Sequence, residues 1–181
     1  MTEMLKFGQP LGEIMQVAYT VEDLEQAMQH WVRDLGIGPF FKFEHFPLLD
    51  AQYRGQPTQF DVNIGLAYSG GMCFELIQQN NDAPSVYRDV IDERGFGFHH
   101  WALSTRDFDG DVARYQESGA ELALYGVAAV GARAGYMDTR STLGGMIELI
   151  EIKSEVEELF AFIRAASENW NGEDPVREFP S

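Results

Sequence analysis

The feature that most constrains this chain is an internal repeat. Residues 16–36 (QVAYTVEDLEQAMQHWVRDLG) align with residues 100–120 (HWALSTRDFDGDVARYQESGA), and the offset of 84 residues stays constant along both stretches. Equivalent residues recur at this offset, such as Ala18 with Ala102 and Asp23 with Asp107. Self-similarity of this kind indicates two copies of one structural unit that complete a common core.

Each copy begins with a short apolar run that is typical of a strand, followed by an acidic residue and a helical pattern. Gly36 and Gly119 then stand where the C-terminus of a helix favours glycine. The helical pattern consists of apolar residues spaced three to four apart: Leu24, Ala27, Met28, Trp31, Val32 and Leu35 in the first copy, and more weakly Phe108, Val112 and Tyr115 in the second.

The two halves also end alike. Residues 70–78 (GGMCFELIQ) and 144–151 (GGMIELIE) each place a Gly-Gly turn before a strand that carries a glutamate within an apolar run. Further strand-like segments lie between the helix and this last strand, at residues 40–46, 60–68, 121–127 and 134–139. Each half is therefore predicted to be a β-α-β-β-β unit, and the fold class to be α+β.

Composition narrows the function classes. The 181 residues suit one domain, and 45% hydrophobic residues can form a substantial core. Cys73 is the only cysteine, so a disulfide framework is excluded and a reducing, cytoplasmic location is expected. The net charge of −16 disfavours nucleic acid and anionic membranes as partners. The sequence contains neither an apolar run of membrane-spanning length nor a recognisable signal peptide.

Two adjacent histidines, His99 and His100, begin the second copy of the repeat. Neighbouring residues of a strand point to opposite faces of the sheet. Only His100 occupies the position that Gln16 holds in the first copy. We therefore expect His100 to face the inside of a curved sheet and His99 to face away from it, where it packs or forms hydrogen bonds.

Four polar side chains begin or interrupt the apolar strands, where a polar group without partners is costly. They are Gln16, Glu75, His100 and Glu148, two from each half. One nitrogen donor and several oxygen donors suit one divalent ion such as Ni²⁺, Zn²⁺, Co²⁺, Mn²⁺ or Fe²⁺. The alternative is that the glutamates lie on the solvent-facing side of an antiparallel sheet.

The chain resembles the vicinal oxygen chelate superfamily, which includes glyoxalase I, methylmalonyl-CoA epimerase, extradiol dioxygenases and the bleomycin and fosfomycin resistance proteins. The motifs are residues 16–40, residues 97–109 (GFHHWALSTRDFD) and the two strands with Glu75 and Glu148. The segment DLGIGPF is most similar to the epimerase and glyoxalase-like branch.

The resemblance implies one domain with two βαβββ modules that form an open half-barrel around a central cup. Module one spans about residues 12–80, a linker 81–96 and module two 97–153, and a C-terminal helix and tail occupy 154–181. It also implies that Gln16, Glu75, His100 and Glu148 are the metal ligands.

At two positions this chain differs from the residue expected in one branch of the superfamily. The ligand order Gln, Glu, His, Glu is that of the eukaryote-like glyoxalase I enzymes, whereas extradiol dioxygenases have a histidine where this chain has Gln16. Glyoxalase I has an arginine where this chain has Thr20, which puts glutathione in doubt as a substrate, although Arg94 could partly compensate.

The resemblance implies enolisation of a small carbonyl compound or thioester by an isomerase, epimerase or lyase. Glu148 is the first choice as general base, and Asp61 is the candidate second base, with a solvent-facing aspartate as its alternative. The other hypotheses are a non-catalytic small-molecule binding or resistance protein and an extradiol-type dioxygenase. Candidate pocket walls are Phe41, Phe43, Tyr53, Phe60, Tyr68, Arg133 and Tyr136.

The C-terminal segment predicts a helix from residue 154 with an apolar stripe formed by Val156, Leu159, Phe160 and Ile163. Ser154 and Glu157 have the spacing of a capping box, and residues 171–181 are predicted to be loosely held. We expect a homodimer, because exposed sheet edges are usually covered by a partner.

Overall fold

The computed structural model describes residues 3–179. The first half contains β1 (Ile14–Thr20), α1 (Leu24–Leu35), β2 (Phe40–Phe43), β3 (Leu48–Tyr53), β4 (Gln56–Pro57), β5 (Val62–Ser69) and β6 (Met72–Gln79), and α2 (Val86–Arg94) follows it. The second half contains β7 (Gly97–Thr105), α3 (Phe108–Glu117), β8 (Glu121–Ala128), β9 (Arg133–Asp138), α4 (Arg140–Leu143) and β10 (Met146–Glu151). The described part ends with α5 (Ser154–Ser167) and β11 (Val176–Glu178).

The repeated aspartates begin the repeated helices. The Asp23 carboxylate accepts a hydrogen bond from the Gln26 backbone N–H at 2.9 Å, and Asp107 accepts one from that of Gly110 at 3.2 Å. Each bond satisfies a backbone donor that the first turn of a helix leaves unpaired. Gly36 ends α1 with φ 66°, a left-handed conformation that glycine adopts without steric cost.

All strands belong to one mixed sheet with the order β11-β2-β5-β6-β1-β7-β10-β9-β8-β3-β4. The first strands of the two halves, β1 and β7, are antiparallel neighbours at its centre, and Val17 pairs with Trp101, its equivalent in the repeat. This pairing relates the halves by a pseudo-two-fold axis. The predicted α+β class is confirmed.

β3 and β4 were not predicted by the repeat. They belong to the long connection between β2 and β5, yet β3 pairs with β8 of the other half. A hairpin from the first half therefore extends the sheet of the second, where an unpaired edge strand would otherwise lie.

The helices pack on the sheet in the same way in both halves. Leu24 and Met28 of α1 are buried in a cluster with Leu76 of β6, while Phe108 of α3 packs against Met137 of β9. The long central strands are thus covered on their helical face, and the other face is free to form a pocket.

α5 buries the predicted stripe, with Val156, Phe160 and Ile163 all inaccessible or nearly so. The predicted capping box is wrong, because Glu157 accepts a hydrogen bond from the Lys6 backbone N–H at 2.7 Å instead of capping α5. The prediction of a loose C-terminus is also wrong for residues 176–178, which form β11 and pair with β2. Residues 180–181 lie outside the described part of the chain.

Between residues 3 and 179, no helix is both long enough and apolar enough to cross a membrane.

Candidate metal centre

A β-bulge occurs at the same repeat position in both central strands. On β7, His100 pairs with Ala18 and Phe98 pairs with Tyr19, which leaves His99 without a partner. On β1, the pairing skips Met15, the residue equivalent to His99. Bulges redirect nearby side chains, so these two place Gln16 and His100 symmetrically beside the pseudo-two-fold axis.

The four predicted polar side chains meet at this axis. Donor atoms of Glu75, His100 and Glu148 all lie within 4.8 Å of one another. His100 Nε2 is 3.0 Å from Glu148 Oε2 and 3.5 Å from Glu75 Oε2. Gln16 Nε2 donates a hydrogen bond to Glu75 Oε2 at 2.8 Å. All four side chains are buried, so the alternative of solvent-facing glutamates is wrong.

The electrostatics of this cluster fit a divalent cation. Burial, together with the charge of Glu148, raises the pKa of Glu75 well above its usual range. His100 Nε2 is close to Glu148, but its alignment does not make a hydrogen bond, so this buried nitrogen has no hydrogen-bond partner. One cation would satisfy this nitrogen and neutralise both carboxylates, and an exchange of N and O on the Gln16 amide would add an oxygen donor.

His99 lies beside this cluster and holds the ring of His100. His99 Nδ1 is 2.8 Å from His100 Nδ1, and His99 Nε2 is 3.0 Å from the Val86 carbonyl oxygen. Burial, and then the neighbouring His100, lowers the pKa of His99 well below its usual value, so this ring is neutral.

The hydrogen-bond partners fix the tautomers of both rings. The Val86 carbonyl can only accept, so His99 carries its proton on Nε2 and accepts at Nδ1. His100 therefore donates from Nδ1, which leaves the lone pair of its Nε2 directed at the two glutamates. A metal-ligating histidine usually donates its other ring N–H to a hydrogen-bond acceptor, and His99 Nδ1 is that acceptor for His100. As expected, His99 forms hydrogen bonds outside the four-residue cluster, but its ring lies against that of His100 instead of facing away, because the bulge breaks the strict alternation of side chains.

Two buried tyrosines lie beside the four-residue cluster and add hydroxyl groups to it. The Tyr87 and Tyr136 hydroxyls are 2.9 Å apart, and both side chains are buried. Burial is the main cause that raises the pKa of each phenol, and the charge of Glu148 contributes, so both hydroxyls stay protonated. The repeat could not reveal Tyr87, because this residue lies in the linker between the two copies.

Asp61, the candidate second base, lies elsewhere. It precedes β5, and its carboxylate is 2.9 Å from His45 Nδ1. Val62, Ile64 and Leu66 line the cavity, while Asp61 does not. Because alternate residues of a strand face the same side, the phase of β5 turns Asp61 away from the four-residue cluster.

Gln16, Glu75 and Glu148 of the cluster line a cavity of about 880 Å³, and with Tyr87 and Tyr136 they form its polar floor. Strands of both halves and α5 surround this cavity, so the sheet must curve around it. Of the candidate walls, Phe43, Phe60, Arg133 and Tyr136 line the cavity, and Phe41, Tyr53 and Tyr68 do not. The volume falls within the range of about 300–1,000 Å³ that is usual for small-molecule sites.

Paired βαβββ units around a buried His/Glu cluster define a class of metal-site proteins. The chain belongs to the Glyoxalase/Bleomycin resistance protein/Dioxygenase superfamily, whose sequence profile matches residues 15–137. No curated protein sequence matches the chain significantly.

Solved structures share this fold at low sequence identity. A hypothetical protein from Bacillus halodurans is 20% identical, with a TM-score of 0.56 and coverage of 79% of this chain and 96% of its own. Methylmalonyl-CoA epimerase from Mycobacterium tuberculosis is 19% identical, with a TM-score of 0.55 and coverage of 81% and 91%. A variant of the Streptomyces coelicolor epimerase in complex with 2-nitronate-propionyl-CoA is 18% identical, with a TM-score of 0.52 and coverage of 80% and 99%.

Proposed function

We propose that this protein is a metal-dependent isomerase or lyase that acts by enolisation of a small carbonyl or thioester substrate. The observation that carries the proposal is the meeting of Gln16, Glu75, His100 and Glu148 beside a largely apolar cavity. These four side chains would hold the ion. A bound divalent ion supplies Lewis-acid stabilisation of the negative charge that develops on a substrate carbonyl oxygen.

Glu148 is the proposed general base. Its carboxylate takes a proton from the carbon next to the carbonyl group, and the electrons of the broken C–H bond become the C=C bond of the enolate. Return of that proton to a carbon atom restores a carbonyl compound and frees the carboxylate for another cycle. General-base catalysis of this kind is typically worth about 10²–10⁴ in rate.

Glu75, rather than Asp61, is the proposed second acid–base group. Epimerisation requires a proton to be delivered to the face opposite the one from which it was removed. Glu75 stands across the pseudo-two-fold axis from Glu148, so its carboxylate is on the side of the cluster from which a proton could reach the opposite face of a bound substrate. The Tyr87 and Tyr136 hydroxyls can orient a substrate oxygen, and the apolar walls exclude water from the reacting carbon.

Deuterium incorporation from D₂O into a panel of 2-hydroxyketones, 2-oxo compounds and thioesters tests the proposal. We expect the metal-loaded parent to exchange the α-proton of at least one member. Glu148→Gln should lose about 10²–10⁴ of this rate and retain the metal, since an amide oxygen can still ligate but is not a base. Asp61→Asn is the matched control and should exchange at nearly the parent rate.

Two outcomes would contradict the proposal. Exchange by Glu148→Gln at the parent rate would mean that the base lies elsewhere. No exchange by the parent with any member of the panel would instead favour a small-molecule binding protein.

A further inference from the structure

The cavity walls differ sharply from its polar floor. Val62, Ile64 and Leu66 of β5 pack in one apolar cluster with Val156, Leu159 and Phe160 of α5, and all six line the cavity next to the metal cluster. These side chains offer neither hydrogen-bond donors nor acceptors. A substrate body in this space would therefore be held by apolar contact alone.

Among the described residues that line the cavity, the cationic side chains are Lys42 and Arg133. Lys42 Nζ is already surrounded by Glu25 at 2.9 Å, Glu44 at 3.2 Å and Glu178 at 3.3 Å. Arg133 is held by Asp109 at 2.9 Å and Glu151 at 2.8 Å. Both charges are thus neutralised by the protein's own carboxylates.

The rim of the cavity keeps an excess of negative charge. Glu44 and Glu178 share the single charge of Lys42, Glu158 pairs with Lys6 at 3.3 Å, and Glu155 adds a further carboxylate; all four glutamates line the cavity and are exposed to solvent. A substrate with phosphate or carboxylate groups would meet this acidic rim without a free cation to balance it, and such like-charge contacts discriminate against the ligand. Apolar side chains also reach the surface there, with Phe162 44% and Val130 48% exposed.

From these observations we infer that the substrate is an uncharged carbonyl compound with an aromatic or alicyclic body, and not an acyl-CoA or a glutathione adduct. Its oxygen atoms lie beside Glu75 and Glu148, and its hydrocarbon body lies against the apolar cavity wall that β5 and α5 form together. This inference rests on the proposed function for the placement of the oxygens. The apolar cavity walls and the ion pairs of Lys42 and Arg133 are structural observations that do not depend on which reaction the protein catalyses.

The test measures binding separately from turnover. Benzoin is a suitable probe because it is neutral, carries two phenyl rings and has a hydroxyl oxygen next to its carbonyl oxygen. Its affinity for the metal-loaded protein is measured by isothermal titration calorimetry, alone and with methylmalonyl-CoA as competitor. We expect benzoin to bind and methylmalonyl-CoA to leave its affinity unchanged.

Two lysine substitutions on α5 form a matched pair. Leu159→Lys places a charge in the cavity wall and should weaken benzoin binding by about tenfold or more, because an unpaired buried charge is costly. Ala165→Lys places the same charge on the solvent face of α5 and should change the affinity by less than about twofold. Phe162→Lys, at a cavity residue that is 44% exposed, is a second variant that we expect to fold and to weaken binding as well.

The outcomes separate this inference from the proposed function. Binding of methylmalonyl-CoA in the cavity, or equal benzoin affinity in Leu159→Lys, Phe162→Lys and Ala165→Lys, would overturn the inference. Exchange of the α-proton of methylmalonyl-CoA would overturn it while supporting enolisation. Benzoin binding that is lost in Leu159→Lys, together with no α-proton exchange from benzoin or from any member of the panel, would support the substrate class and contradict enolisation.

Discussion

Met15 and His99 occupy the same position in the two halves, at matching bulges in β1 and β7. Both side chains are completely buried. Met15 packs within the main apolar cluster, whereas His99 links the Val86 carbonyl to the ring of His100. The backbone geometry is thus shared by both halves, while the chemistry at the bulge differs. In the first half this position contributes to packing, and in the second it orients a candidate ligand.

The largest expected effect on stability comes from Met15. Met15→Ala should lower the free energy of unfolding by about 2–5 kcal/mol, because it removes a fully buried side chain and leaves a void. Urea denaturation measures the change, and Met4→Ala, at a residue that is 63% exposed, is the control. An unchanged unfolding free energy in Met15→Ala would contradict the packing role of this position.

His99 should instead affect metal affinity. His99→Leu removes the acceptor for the His100 Nδ1 proton, and loss of such a partner typically weakens metal binding by about 10–100-fold. Chelator competition measures the dissociation constant, with Met15→Leu as the matched substitution in the other half. We expect Met15→Leu to bind metal like the parent. Equal metal affinities in His99→Leu and Met15→Leu would show that the bulge residue does not support metal binding in one half only.

The helix caps should show the smallest effects and no difference between the halves. Asp23→Ala and Asp107→Ala should each cost about 1 kcal/mol of stability, since each removes one N-cap hydrogen bond. Ser154→Ala is the control, because the Ser154 side chain does not cap α5. Thermal unfolding at matched pH gives all three values. A cost for Ser154→Ala as large as that for Asp23→Ala would contradict the structure at α5.

The repeat predicted the fold class. It also singled out the four clustered side chains as candidate ligands, because it compares equivalent positions of the two halves directly. Gln16 with His100, and the glutamates of the two final strands, stand out as polar residues on otherwise apolar strands. Pseudo-two-fold symmetry then places them together without any knowledge of side-chain contacts.

Features that depend on strand pairing, on packing or on the linker could not be predicted in this way. A bulge depends on how two strands pair, so nothing in residues 95–103 alone reveals that His99 turns toward His100. The facing of Asp61 depends on the phase of β5, which packing determines. Glu157 does not cap α5, because its carboxylate accepts a hydrogen bond from the backbone N–H of Lys6, a residue far away in sequence. Tyr87 belongs to neither copy of the repeat.

The central claim is that both halves contribute ligands to a single ion, and metal content per chain tests it most directly. We predict about one divalent ion per chain in the purified parent and in His30→Ala, whose histidine is exposed on α1. His100→Ala should bind metal at least about 100-fold more weakly, since it removes the nitrogen ligand itself rather than its supporting partner. Equal metal content and affinity in His100→Ala and the parent would contradict the account.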